Sequence, residues 1–223
     1  MQSQQTGNSK ICSLKEGAMK MDEGYIKFHC ELQKTGNTIP PDVFSIINSW
    51  RTKMYSLNLI GAYENGIGFG NISVRVNGTS KFYISGTATG NFKVLSLEDY
   101  VLVSRYNFKN NSLVCEGQIQ ASSESLSHAA IFEANEEINA VIHIHNMEMW
   151  GKGLNTYPTT HPEYSFGTPE IAMNIAKLLE KDSTRKNGII IMGGHSEGIL
   201  FFGKDLDEAG KNALKYFKEL CND

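Results

Sequence analysis

An apolar run at residues 140–144 leads into His143-Ile144-His145, and this feature most constrains the fold. A strand repeats every two residues, so both imidazoles turn to one face. Two neutral ring nitrogens converging in this way form half of a metal site; the plainer alternative is two polar residues closing a strand near water. Ser122-Ser123-Glu124 upstream and Gly193-Gly194-His195 downstream both fall where an apolar segment meets a turn or helix. Three histidines on two strands would then hold one divalent cation, with the Glu124 carboxylate facing it from a helix start. Zinc with three protein ligands keeps a position open for water or substrate, which points to catalysis rather than to a closed structural site.

The 223 residues suffice for one sizeable core and are few for two. A net charge of -3 and a pI near 6.1 give no basic footprint for nucleic acid, so an anionic substrate has to be held by local donors. Cys12, Cys30, Cys115 and Cys221 form no Cys-x-x-Cys pair, which suggests neither a thiolate zinc site nor a disulfide framework and makes a reduced cytoplasm the expected compartment. No uncharged apolar run reaches the roughly 18 residues of a membrane span, and the N-terminus lacks a signal-peptide core.

Residues 1–21 are polar and aperiodic and read as a loose tail, with Met19 and Met21 as possible starts of the folded chain; residues 22–223 form the expected domain. Alternation at residues 25–32 predicts a strand with His29 on its polar face. After Pro40-Pro41, the spacing of Val43, Ile46, Ile47, Trp50, Met54 and Leu57 predicts a helix. Strands are expected at 72–76, 81–85 and 100–106, with Asn77-Gly78 as a hairpin turn. Helices are expected at 123–134, at 169–180 with Thr168 as N-cap, and from Asp205 or Asp207 to about Leu220, with two strands at 188–192 and 198–202. This order gives a single-domain α/β sandwich, a largely antiparallel central sheet flanked by helices.

Gly70-Asn71-Ile72-Ser73-Val74-Arg75, Ile84-Ser85-Gly86, Ser122-Ser123-Glu124, His143-Ile144-His145, Phe166-Gly167-Thr168-x-Glu170 and the segment around His195 together resemble the class II aldolase/adducin family. The resemblance runs from about Trp50 to about Leu220. It implies a metal-dependent lyase that reversibly cleaves a ketose phosphate through an enediolate, with a sugar-phosphate 4-epimerase, a dehydratase or a non-catalytic adducin-like module as alternatives. It also implies a homotetramer with the site near a subunit boundary.

In this reading His143, His145 and His195 hold the cation, Zn2+ with Mn2+ or Co2+ as alternatives, and Glu124 is the acid/base. The resemblance implies that Asn71, Ser85, Gly86, Ser122 and Ser123 bind the phosphate; singly, Ser123 also suits a helix cap and Gly86 a left-handed turn. His128, four residues after Glu124, is expected to pair with it or to line the core, and His161 to lie at the surface. Two departures from the family pattern stand out. The stretch between His145 and Phe166 is short, so neither Tyr157 nor Tyr164 is equated with the family's catalytic tyrosine, and the second proton donor is unassigned. His195-Ser196-Glu197-Gly198 replaces the usual His-Gly, which leaves Glu197 as an alternative third ligand.

Overall fold

The computed structural model describes residues 26–221; the expected tail at 1–21, Tyr25 and the outer limits of the expected domain lie outside them. The strands are β1 (His29–Lys34), β2 (Gly61–Ala62), β3 (Gly68–Phe69), β4 (Asn71–Arg75), β5 (Phe82–Ser85), β6 (Tyr100–Asn107), β7 (Ser112–Gly117), β8 (Ala140–His145), β9 (Ile189–Ile191) and β10 (Gly198–Gly203). The helices are α1 (Pro41–Ser56), α2 (Ser125–Ala134), α3 (Met147–Gly153), α4 (Pro169–Leu179), α5 (Asp182–Asn187) and α6 (Leu206–Cys221).

Eight strands form one sheet in the order β1-β7-β6-β5-β4-β8-β10-β9. Every neighbouring pair is antiparallel except β1 with β7, so the largely antiparallel sandwich expected from the sequence is the fold observed. Alternation sorts the strands onto two cores. Val141, Leu200, Phe202, Phe82 and Val103 join one core beneath α2 and α4, while Ala140, Ile142, Ile144, Ile199 and Phe201 join the other beneath α1, α3 and α6. The Asn77-Gly78 turn joins β4 to β5 with Gly78 at φ 71°, a conformation that glycine adopts without steric cost.

Helix faces follow the same logic. α6 buries Leu206, Ala209, Gly210, Ala213, Tyr216 and Leu220, a stripe at three- and four-residue spacing. In α2 every residue from Ser125 to Phe132 is buried, as befits a helix enclosed between the sheet and α4. α1 buries Ile47, Arg51 and Met54, whereas Ile46, expected on its inner stripe, is 54% exposed. Arg51 takes an inner position instead, because its guanidinium donates to the carbonyls of Thr89, Gly90, Phe92 and Lys93 and so satisfies the buried charge.

Local details also depart from expectation. Thr168 is the residue before α4, but its hydroxyl donates to the Ser165 carbonyl rather than capping the helix. Glu124, not Ser123, holds the cap position of α2, without a side-chain capping bond. β7, α3 and α5 have no counterpart in the periodicity reading. The fold also brings Cys30 Sγ within 3.5 Å of Cys115 Sγ across β1 and β7, both thiols free.

Candidate active site

β8 lies in the middle of the sheet, between β4 and β10. His143 and His145 point from it to the α2 side, the side that Val141 helps to fill. They are 0% and 2% exposed, and His195, in the turn between β9 and β10, is 5% exposed. One nitrogen from each of these three rings lies within 4.8 Å of the others. Gly198 stands opposite His145 in the β8–β10 register, and a Cβ there would come 2.4 Å from His195 Cδ2; only glycine lets the third ring approach.

The nitrogens present a donor set that a cation fits. His143 Nδ1 lies 3.2 Å from the Ile199 carbonyl, so it carries the proton and leaves Nε2 with its lone pair. His143 Nε2 and His145 Nε2 are 3.0 Å apart. Two nitrogens each about 2.0–2.1 Å from one tetrahedral ion sit about 3.3 Å apart, so this pair is already near ligand spacing, while the cluster as a whole, within 4.8 Å, has to close by up to about 1.5 Å. Burial lowers all three imidazoles from their ordinary pKa, that of His143 to about 4 and those of His145 and His195 well below the usual imidazole value, with neighbouring imidazoles adding to the effect on the latter two. Neutral imidazole is the ligating form.

Glu124 closes the site from the start of α2. Its carboxyl is 1% exposed, with Oε2 accepting from Ser127 Oγ at 2.9 Å. Oε1 has no hydrogen-bond partner among the described residues and lies 3.6 Å from His195 Nε2. Burial pushes the Glu124 pKa up to about 7, with the Ser127 hydroxyl and the Lys27 charge opposing the rise. Such a group both donates and accepts a proton near neutrality.

The five remaining expected positions also gather here. An antiparallel bridge between Gly86 and Ala121 brings the end of β5 beside Ser122 and Ser123. A Cβ on Gly86 would meet Ile119 Cδ1 at 2.3 Å, so that closeness demands glycine. Asn71 is opposite His143 in the β4–β8 register, with its Oδ1 buried and lacking a hydrogen-bond partner among the described residues. Ser85 Oγ accepts from the Ile72 backbone N–H at 3.2 Å, and Ser122 Oγ from that of Glu124 at 3.3 Å.

Glu197 stands outside the three-nitrogen cluster, 3.9 Å from His145 Nδ1, and meets the site through Tyr63. His128 pairs with Ser73 Oγ at 2.6 Å rather than with Glu124. His29 is exposed, and His161 lies at the surface with its ring 5.0 Å from that of Tyr164 and tilted 39° to it. Tyr157 is engaged by Glu219 at 2.6 Å. Sequence reasoning missed Tyr63, 2.9 Å from His145 Nδ1, and Lys27, whose ammonium sits 4.0 Å over the Phe166 ring that packs on His195. Both contacts join distant parts of the chain, which local periodicity does not reveal.

The sequence model of the Class II Aldolase and Adducin N-terminal domain matches residues 63–151, the stretch holding Glu124, His143 and His145. An L-ribulose-5-phosphate 4-epimerase of Salmonella paratyphi B is 25% identical over 171 residues, 66% of this chain and 70% of the relative. An L-fuculose 1-phosphate aldolase structure superposes with a TM-score of 0.61 at 18% identity, covering 84% of this chain and 88% of its own. The corresponding aldolase of Thermus thermophilus gives 0.53 at 20% identity, covering 78% and 85%. Residues 63–151 thus match the class II aldolase and adducin domain, and the fold is shared with these aldolase structures.

Proposed function

We propose that the protein is a metal-dependent aldehyde-lyase, a class II aldolase that reversibly cleaves a ketose phosphate or related sugar phosphate into a three-carbon phosphate and an aldehyde. The family acts on small sugar phosphates, and its aldolases use a divalent metal. The observation that carries the reading is the buried carboxyl of Glu124, with Oε1 3.6 Å from one member of a three-imidazole cluster. We assign His143, His145 and His195 as ligands of Zn2+, with Mn2+ and Co2+ as alternatives; nitrogen donors of intermediate softness favour zinc and cobalt over manganese. When bound, such a cation supplies Lewis-acid stabilisation of the negative charge that develops on enediolate oxygens.

The chain's own residues do the rest. As the carbon–carbon bond breaks, the hydroxyl beside it passes its proton to solvent water and becomes the aldehyde carbonyl, while the bonding pair passes to the three-carbon fragment. Glu124, protonated because of its burial, returns a proton to that carbon, and in the reverse direction its carboxylate removes it. We assign Asn71, Ser85, Gly86, Ser122 and Ser123 to the phosphate, through hydroxyl, amide and backbone N–H donors that need no net positive charge.

A 4-epimerase is the second reading, favoured by the L-ribulose-5-phosphate 4-epimerase relative, because it uses the same bond cleavage and rejoins the fragments. Product analysis on a panel of ketose phosphates separates the two: released aldehyde supports the lyase, and C4 inversion without release supports the epimerase. A protein that purifies without stoichiometric divalent metal and gains none on adding zinc, manganese or cobalt would instead be an adducin-like module. We further propose a cytoplasmic homotetramer with the site near a subunit boundary. No helix among the described residues is long and apolar enough to cross a membrane. Sedimentation and specific activity over one dilution series test the assembly, since a fully active monomer would exclude a shared site.

A further inference from the structure

We propose that Tyr63 and Glu197 form a carboxylate–phenol relay that positions His145 as a cation ligand, a role that rests on the three-histidine site proposed above. Tyr63 Oη donates to Glu197 Oε2 at 3.0 Å. Its one proton is thereby used, so toward His145 Nδ1, 2.9 Å away, the phenol oxygen can only accept. Nδ1 must then carry the hydrogen, and Nε2 presents its lone pair toward His143 Nε2 at 3.0 Å. Glu197 does not do this directly, because its carboxylate is 3.9 Å from Nδ1, beyond hydrogen-bond reach.

Two further observations mark the arrangement as built. Glu197 has a φ of 68°, a left-handed conformation that costs a β-carbon residue energy and persists where the surroundings select it. The Tyr63 ring is held by Phe69 at a centroid distance of 4.7 Å, and Phe69 in turn stacks on His145 at 5.4 Å. The two strand histidines are thus backed differently: His143 by the neutral carbonyl of Ile199, His145 by a carboxylate acting through a phenol. A negative group behind the ring raises the basicity of the ligating nitrogen and fixes its orientation, and removing such a partner weakens metal binding about 10- to 100-fold.

The test is a zinc titration of the chelator-stripped full chain against a competing chromophoric chelator, together with thermal unfolding. Tyr63→Phe keeps the ring packing and removes only the hydroxyl; its zinc affinity should fall about 10- to 100-fold with secondary structure unchanged. Glu197→Gly should melt at or above wild type, because glycine relieves the left-handed backbone, yet bind zinc more weakly. A residue with a merely structural role would not move the two readouts in opposite directions. Wild-type zinc affinity in both variants overturns the relay and leaves the three-histidine site standing. If the wild-type chain binds no zinc, the site reading fails and the relay falls with it.

Discussion

The metal-stripped protein should lose stability on mild acidification, by an amount set by its buried histidines. His143 falls from an ordinary 6.5 to about 4 in the fold, so between those values the unfolded chain binds more protons than the native one. Stability from this group is present above pH 6.5 and lost as pH falls toward 4; linkage gives a loss of about 2 kcal/mol between pH 7 and pH 5. His145, His195 and His128 are lowered in the same direction, chiefly by burial, and add to the loss. Glu124 acts in the opposite sense, because its pKa rises from 4.5 to about 7: its contribution is present below pH 4.5, is lost as pH rises through 7, and returns about 2 kcal/mol between pH 7 and pH 5. His143 and Glu124 thus nearly cancel, and the three remaining imidazoles tip the balance to a net loss of stability on acidification. Urea unfolding in chelator at half-unit steps from pH 7 to pH 5 measures this directly. Glu124→Gln should be more stable than wild type at pH 7, with the advantage shrinking by about 2 kcal/mol at pH 5. Unfolding free energies that stay level or climb on acidification would refute the assignment of neutral, buried imidazoles.

Two further perturbations probe the cation site and its surroundings. His143→Ala or His145→Ala should abolish metal retention, since one of three ligands is lost from an open site; elemental analysis after dialysis checks this, and full zinc occupancy in the double variant would exclude the site. Arg51→Ala should cost about 3–5 kcal/mol in urea unfolding, because four backbone carbonyls at residues 89–93 lose a charged donor. Arg51→Lys should recover only part of that, an ammonium being unable to reproduce the planar fork; a loss below about 1 kcal/mol in the alanine variant would show that the loop holds itself.

The legible parts of this protein are those that local periodicity encodes. His143 and His145 follow from the two-residue strand repeat, and the Asn77-Gly78 hairpin and the α4 and α6 stripes follow from turn chemistry and helical spacing. β7 is not legible because it places only Leu113, Cys115 and Gly117 fully inside, too short an alternation to stand out. Contacts between distant positions are also hidden. Tyr63 meets His145 across 82 positions and Glu197 across 134, and Cys30 meets Cys115 across 85. Glu197 illustrates the difference: its departure from the His-Gly pattern is visible in the sequence, but its link to His145 through Tyr63 emerges only once β2, β8 and the turn before β10 are assembled.

Proton exchange into deuterium oxide tests the central claim most directly. Cation-loaded protein is given a three-carbon ketone phosphate without an aldehyde partner, and nuclear magnetic resonance follows the carbon-bound hydrogen next to the carbonyl. One such hydrogen should exchange with solvent, the exchange should stop when the cation is removed, and it should slow about 10²- to 10⁴-fold in Glu124→Gln, the range for loss of a general acid/base. Exchange at the wild-type rate in Glu124→Gln, or in the His143→Ala, His145→Ala double variant, would contradict that claim.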